Sequence, residues 1–244
     1  MFPIRDLNPT RVFPLITLLL IAANGLVYFF WQPHSGPEGV SFLYEHAAIA
    51  CEVTTGKPLT VPEFQLETCR QDSVGPAIFP EKSVELSLFV SMFLHGSVFH
   101  LLTNMWFLWL FGNNIEEAYG AVAFLAVYLL AGLAATIGFI ALNPEGVTPL
   151  IGASGAIAGV LGAYLVLFPR RWVISLVVIT LLPIPAVVFL GLWFATQFLV
   201  NDPGVAWEAH VIGFLAGTAL TLLFRGPLLG RIERIHRRRP PVWS

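Results

Sequence analysis

The sequence is poor in charge. Lys, Arg, Asp and Glu make up 11% of its 244 residues, where a soluble domain carries about 25%. Hydrophobic residues supply 56%, and the mean hydropathy is +0.76. This excludes an ordinary water-soluble globule and predicts an integral membrane protein. The length leaves no room for a large soluble domain beside a membrane bundle. No internal repeat is visible. Only two cysteines occur, Cys51 and Cys69. The histidines stand without Cys or carboxylates at ligand spacing, so no metal and no cofactor is expected. No nucleic-acid partner is expected either.

What is abundant is apolar sequence. A bilayer core of about 30 Å needs about 20 helical residues. Stretches read as spans lie at residues 13–31, 99–112, 121–142, 154–168, 184–200 and 205–224. The first is longer than a signal-peptide core and ends in aromatics, so it reads as a retained helix. Residues 172–182 are rich in β-branched side chains and are followed by Pro183 and Pro185. They read as a connector hugging the membrane. The expected fold is an all-α, six-transmembrane-helix bundle over residues 13–224, with a short polar lead at 1–12 and a basic tail at 225–244. Residues 32–97 are expected to form a large, acidic first loop that has room for short helices.

With six spans both termini share a side. That side holds Arg5, Arg11, Arg170, Arg171, Arg225, Arg231, Arg234, Arg237, Arg238 and Arg239. The other side holds Lys57, Arg70 and Lys82. The positive-inside rule makes the arginine side cytoplasmic. The expected setting is a bacterial inner or plasma membrane, with the first loop outside. There a disulfide between Cys51 and Cys69 can persist, although two separate thiols fit the spacing equally. The arginine-rich tail reads first as a topology anchor, and secondarily as a surface for anionic lipid.

Polar side chains within spans are costly and point to function. Here they are few: His100 and Asn104 in the second span, Ser154 at the start of the fourth, and His210 in the sixth. Helical rise gives their depth. Ser154 is sixteen residues from Arg170, roughly 24 Å. His210 is fifteen from Arg225, roughly 22 Å. His100 is sixteen from Glu116, again roughly 24 Å. Asn104 lies one turn further on the face of His100. Three helices therefore carry polar groups to one layer, inside the outer edge of the membrane.

Each residue also has an ordinary structural reading, as packing, cap or interhelical glue. Together they have chemistry available. A serine hydroxyl becomes a nucleophile when a histidine takes its proton. Gly155 and Gly159 on one helix, and Gly213 and Gly217 on the other, allow the close approach that Ser154 and His210 need. Asn104, His100 and the backbone N–H of Ser154 are candidate donors to an oxyanion. His95 precedes its helix and reads as a loop anchor. Glu208, two residues before His210, reads as a solvated interface carboxylate rather than a third catalytic member.

Taken together these blocks resemble the rhomboid family of intramembrane serine proteases. Gly152-Ala153-Ser154-Gly155 looks like the family's G-x-S-G motif. His95, His100 and Asn104, followed by Phe107-Leu108-Trp109-Leu110-Phe111-Gly112 and Glu116, look like its second-span block. Ala209-His210-x-x-Gly213-x-x-x-Gly217 looks like its last-span block. The resemblance implies that Ser154 is the nucleophile and His210 the base of a dyad, with His100 and Asn104 as oxyanion stabilisers. It implies that residues 201–207 cap the site and that the helix at 184–200 admits substrate from the side. The sequence departs from the family in three places. The first loop has no Trp-Arg pair, Ala158 stands where many members carry an aromatic, and the loop is larger.

The implied activity is endopeptidase cleavage of single-span membrane proteins near the outer face of the bilayer. A non-catalytic, rhomboid-like protein that binds membrane helices is the alternative, and such a protein would be expected to lack Ser154 or His210. A transporter or channel would string polar residues through the membrane depth, whereas here they share one layer. No sequence feature sets an oligomeric state.

Overall fold

A computed structural model describes residues 1–70, 72–199 and 204–242. The chain begins with a strand, β1 (Phe2–Asp6), and then α1 (Leu15–Leu26), which continues through a π-helical turn to Trp31. Short elements follow: α2 (Gly36–His46), β2 (Ala48–Ile49), α3 (Ala50–Thr55), α4 (Val61–Leu66) and α5 (Val84–Val90). Then come α6 (Val98–Tyr119), α7 (Ala121–Leu142), β3 (Pro149–Leu150) and α8 (Ser154–Leu167). A hairpin of β4 (Trp172–Val177) and β5 (Thr180–Pro185) leads to α9 (Ala186–Gln197) and finally α10 (Trp207–Arg238).

Among the described residues, α7 and α10 are long and apolar enough to cross a membrane singly. The pair α5–α6 passes the same test but is bent by 78° between Phe93 and Val98. Three shorter apolar helices, Leu15–Trp31, α8 and α9, complete the bundle. The central one is α8. Its residues from Gly155 to Tyr164 are all buried, so it needs no polar face. It packs against α10 and α7, which also pack against each other, with α6 alongside.

Four expectations are corrected. The connector at 172–182 is a β-hairpin, and the N-terminal lead adds a third antiparallel strand in the order β1-β4-β5. Its β-branched residues suit a pleated strand. The second span does not stop at Gly112 but runs to Tyr119 and ends at Gly120, whose φ of +80° terminates it. The helix of the sixth span continues past Phe224 to Arg238, through Pro227. The expected fifth span is trimmed to α9, which starts after Pro185; Val200 lies outside the described residues.

The polar end of α6 anchors its neighbours. Pro14 gives α1 no side-chain cap. Glu116 substitutes, accepting the N–H groups of Ile16 and Thr17 at 2.9 and 2.8 Å and the Thr17 hydroxyl at 2.8 Å. A carboxylate at a helix start also meets the favourable end of the helix dipole. Glu117 accepts the N–H groups of Arg11 and Val12 and meets His236 Nε2 at 2.6 Å. It thereby ties the N-terminal lead to α10.

Asp6 on β1 is held by the Tyr164 hydroxyl at 2.8 Å and the Asn114 amide at 2.7 Å. Burial pushes its carboxyl from 3.8 up to about 7, against the lowering effects of Tyr164, Arg171 and Asn114. The folded state therefore binds more protons than the unfolded one between about pH 4 and 7, and this contribution to stability is lost as pH rises through that window. Unfolding of wild type and Asp6→Asn in detergent, compared across pH 4–8, should show wild type losing ground to the variant as pH rises. Parallel curves would exclude the effect.

The first loop is tied down rather than loose. Cys51 and Cys69 form a disulfide with Cα atoms 5.6 Å apart. Lys82 and Glu52 form a buried ion pair at 2.5 Å, and Lys82 also donates to the carbonyls of Tyr44 and Ala47 at 2.7 Å each. Thr60 and Glu63 make a capping box at the start of α4. The bridge closes a sequence separation of 18, so its loss should cost about 3 kcal/mol. Thermal unfolding of Cys51→Ser/Cys69→Ser against wild type, without reductant, measures this directly.

Candidate functional site

Three helix starts meet in one place. Ser154 opens α8, His210 lies in the first turn of α10, and His100 and Asn104 lie in the first two turns of α6. The first backbone N–H groups of each helix have no intrahelical acceptor, so these ends are rich in donors. They border a cavity of about 1070 Å³, lined by Ser154, His210, His100, Asn104 and Trp193 among others.

The approach of α10 to α8 brings Ser154 and His210 together. A Cβ on Gly213 would overlap the Gly155 carbonyl, and one on Gly217 the Gly159 carbonyl, both well inside 3.0 Å. A Cβ on Gly155 would also stand 2.6 Å from the Ala135 methyl of α7. With backbone against backbone, His210 Nε2 and Ser154 Oγ lie 2.9 Å apart. This is hydrogen-bond distance for a nucleophile and its base.

Gly152 has a φ of +123°, a region closed to side chains, and a Cβ there would meet the His100 ring at 2.9 Å. The glycine thus lets His100 sit over the turn into Ser154. Asn104 is buried, and its Nδ2 has no hydrogen-bond partner. An unsatisfied buried donor is costly unless it is kept for a ligand or a developing charge. His95 is fully buried, packs edge-on against the His100 ring at a centroid distance of 5.1 Å, and is tied through its backbone to Gln32.

The turn before Ser154 is also held from outside. β2 pairs with β3, the Cys51 N–H donates to Gly146 at 2.9 Å, and the Gly152 N–H donates to the Ser91 carbonyl at 2.9 Å. The Ser91 hydroxyl in turn accepts the Ala48 N–H at 2.6 Å. The disulfide-bonded loop is therefore hydrogen-bonded directly to the segment that leads into the serine.

Glu208 does not meet His210; its carboxylate accepts from Asn143 at 3.4 Å. Of the expected cap at 201–207, residues 201–203 lie outside the described residues, while Gly204, Val205, Ala206 and Trp207 line the cavity. Ala158 brings no ring to His210. Its place beside the histidine is taken by two residues of α9 that sequence reading missed. The Gln197 Oε1 lies 2.8 Å from His210 Nδ1, and the Trp193 ring is tilted 6.3 Å away. The signal was present: Gln197 is the one amide in the apolar stretch 184–200. Among the described residues, one group of Cys and carboxylate side chains lies within metal-ligand reach, Cys51, Glu63 and Cys69, but its two sulfurs are joined to each other rather than available as thiolates.

Comparison with known proteins agrees with this architecture. A profile described as the Rhomboid domain matches residues 84–227, more than half of the chain. The chain is 34% identical over 137 residues to "Rhomboid protease GluP" of Bacillus subtilis, covering 55% of this chain and 26% of that protein. It is 30% identical over 170 residues to "Rhomboid protein 1, mitochondrial" of Saccharomyces cerevisiae, covering 64% and 45% respectively. It is 36% identical over 114 residues to the human "Presenilin-associated rhomboid-like protein, mitochondrial", covering 45% and 29%. The matches thus span between about a quarter and just under half of each relative's own length. With its apolar helices and the extent of the profile match, the chain belongs to the rhomboid family of integral membrane proteins.

Proposed function

We propose that the protein is an intramembrane serine endopeptidase with a Ser154–His210 dyad, cutting single-span membrane proteins near the outer face of the bilayer. The observation that carries this reading is the 2.9 Å contact between His210 Nε2 and Ser154 Oγ at the edge of a large cavity. Ser154 Oγ attacks the scissile carbonyl while its proton passes to His210 Nε2. The new C–O bond leaves charge on the carbonyl oxygen, met by Asn104 Nδ2, the His100 ring and the Ser154 N–H. The tetrahedral centre collapses, the C–N bond breaks, and His210 returns the proton to the leaving amine. Water then repeats the sequence on the ester. In this reading six helices span the membrane with both termini cytoplasmic, as the arginine distribution supports. Residues 13–224 form the protease domain. A substrate helix must unwind to offer a carbonyl, so helix-breaking or small residues at the cut favour cleavage.

A fluorophosphonate probe tests the reading. Wild type should be labelled at Ser154, and Ser154→Ala and His210→Ala should not. Equal labelling of all three, or none of wild type, would overturn it in favour of a helix-binding protein without catalysis. Asn104→Ala tests the oxyanion role separately: a loss on the order of a hundredfold in kcat, with the dyad intact, is expected.

A further inference from the structure

The residue that orients His210 comes from a third helix. His210 Nδ1 lies 2.8 Å from Gln197 Oε1, and Gln197 Nε2 donates to the Trp193 carbonyl at 3.0 Å. A backbone carbonyl only accepts, so the amide nitrogen of Gln197 must face Trp193. The amide oxygen then faces His210, and it too only accepts. Nδ1 must therefore carry the ring proton. The neutral ring is left with a bare Nε2, and Nε2 is the atom 2.9 Å from Ser154 Oγ. One carbonyl on α9 thus determines, through two hydrogen bonds, which nitrogen of His210 can accept a proton from serine.

Gln197 is buried, as are Ala186, Phe189 and Leu190 on the same helix, while Val187, Val188 and Leu192 face outward. It is the last residue of α9, whereas Ser154 belongs to α8 and His210 to α10. We infer that Gln197 is a positioning residue that holds His210 in its Nδ1–H form, so that the reactive pair is complete only while α9 is seated against α10. The inference rests on the proposed dyad. It gives that site a built-in dependence on α9: a shift of this helix removes the acceptor from Nδ1, and both tautomers then become available. Gln197 does this without a charge, so it adds no carboxylate to an apolar region.

Three proteins separate the outcomes: wild type, Gln197→Leu and Gln197→Glu, each first checked for unchanged thermal unfolding in detergent. Selective ¹⁵N-histidine NMR should show His210 of wild type protonated at Nδ1 and bare at Nε2. Gln197→Leu should show a mixture. Cleavage of a model single-span substrate should lose on the order of tenfold to a hundredfold in kcat in Gln197→Leu, the worth of one buried hydrogen bond, with KM nearly unchanged. Gln197→Glu, whose carboxylate also accepts from Nδ1, should restore the rate and move the acid limb of the pH profile upward. An Nε2–H form in wild type, or wild-type kcat and pH profile in Gln197→Leu, overturns the inference. So does equal impairment of both variants with an unmoved pH profile, which would indicate packing alone. Failure of the dyad itself reads differently, as absence of probe labelling in wild type whatever the tautomer.

Discussion

Ser154→Ala should lower cleavage of a single-span substrate by 10⁴-fold or more, on the order seen when one member of a serine–histidine unit is removed. His210→Ala should lower it as much, and the double variant should be no worse than either single one. The reason is geometric. Ser154 Oγ is 2.9 Å from His210 Nε2, and the proton that leaves one atom arrives at the other. Without the base, the hydroxyl is a weak nucleophile; without the hydroxyl, the base has no proton to take. Two residues acting in one step cannot lose their contribution twice. Initial rates from the three variants, measured with product identification by mass spectrometry, decide the matter. Losses that multiply in the double variant would mean that Ser154 and His210 act independently, and the dyad would have to be abandoned.

Gly217→Val should unfold the bundle or leave it inactive. The obstacle is backbone, which cannot rotate away: even a methyl group on Gly217 would overlap the carbonyl, carbonyl carbon and Cα of Gly159. Gly213 meets Gly155 in the same way. Forcing atoms into a packed interface costs typically 1–3 kcal/mol, and more where nothing can yield. At this position at least about 3 kcal/mol is expected, together with loss of activity, because α10 must retreat from α8 and take His210 with it. Gly226 on the same helix and Gly191 on α9 have nothing within 4 Å of such a Cβ. Alanine there should be neutral or stabilising by about 0.5–1 kcal/mol. Unfolding in detergent, with activity measured in parallel, compares the four positions. A stable, active Gly217→Val would show that α8 and α10 do not need this contact.

Much of the helical layout was legible. Residues 121–142 were read to the residue as α7, because apolar helices without polar interruptions declare their own ends. The polar residues on 99–112, 154–168 and 205–224 pointed to one another because each was an exception in its surroundings. Other features were illegible for definite reasons. Pairing of Phe2–Asp6 with Trp172–Val177 joins segments about 170 residues apart, and no local pattern encodes such a contact. β-Branched residues near a membrane suit a strand, a connector or a buried helix alike. Asn113, Asn114, Glu116 and Glu117 look like the polar end of a span. They lie inside α6, where Asn114, Glu116 and Glu117 are buried and bonded to Asp6, α1 and α10. Arg225, Gly226 and Pro227 look like a stop, yet α10 passes through them. The role of Gln197 required knowing that α9 ends beside the first turn of α10.

The positions of the two proposed catalytic groups also set an order of events during synthesis. Ser154 belongs to α8 and is made more than fifty residues before His210 on α10. Until α10 arrives, the hydroxyl has no base beside it. If the proposed dyad carries the activity, a growing chain is therefore harmless to the other membrane proteins emerging around it. In the proposed mechanism its chemistry begins only when α10 docks against α8.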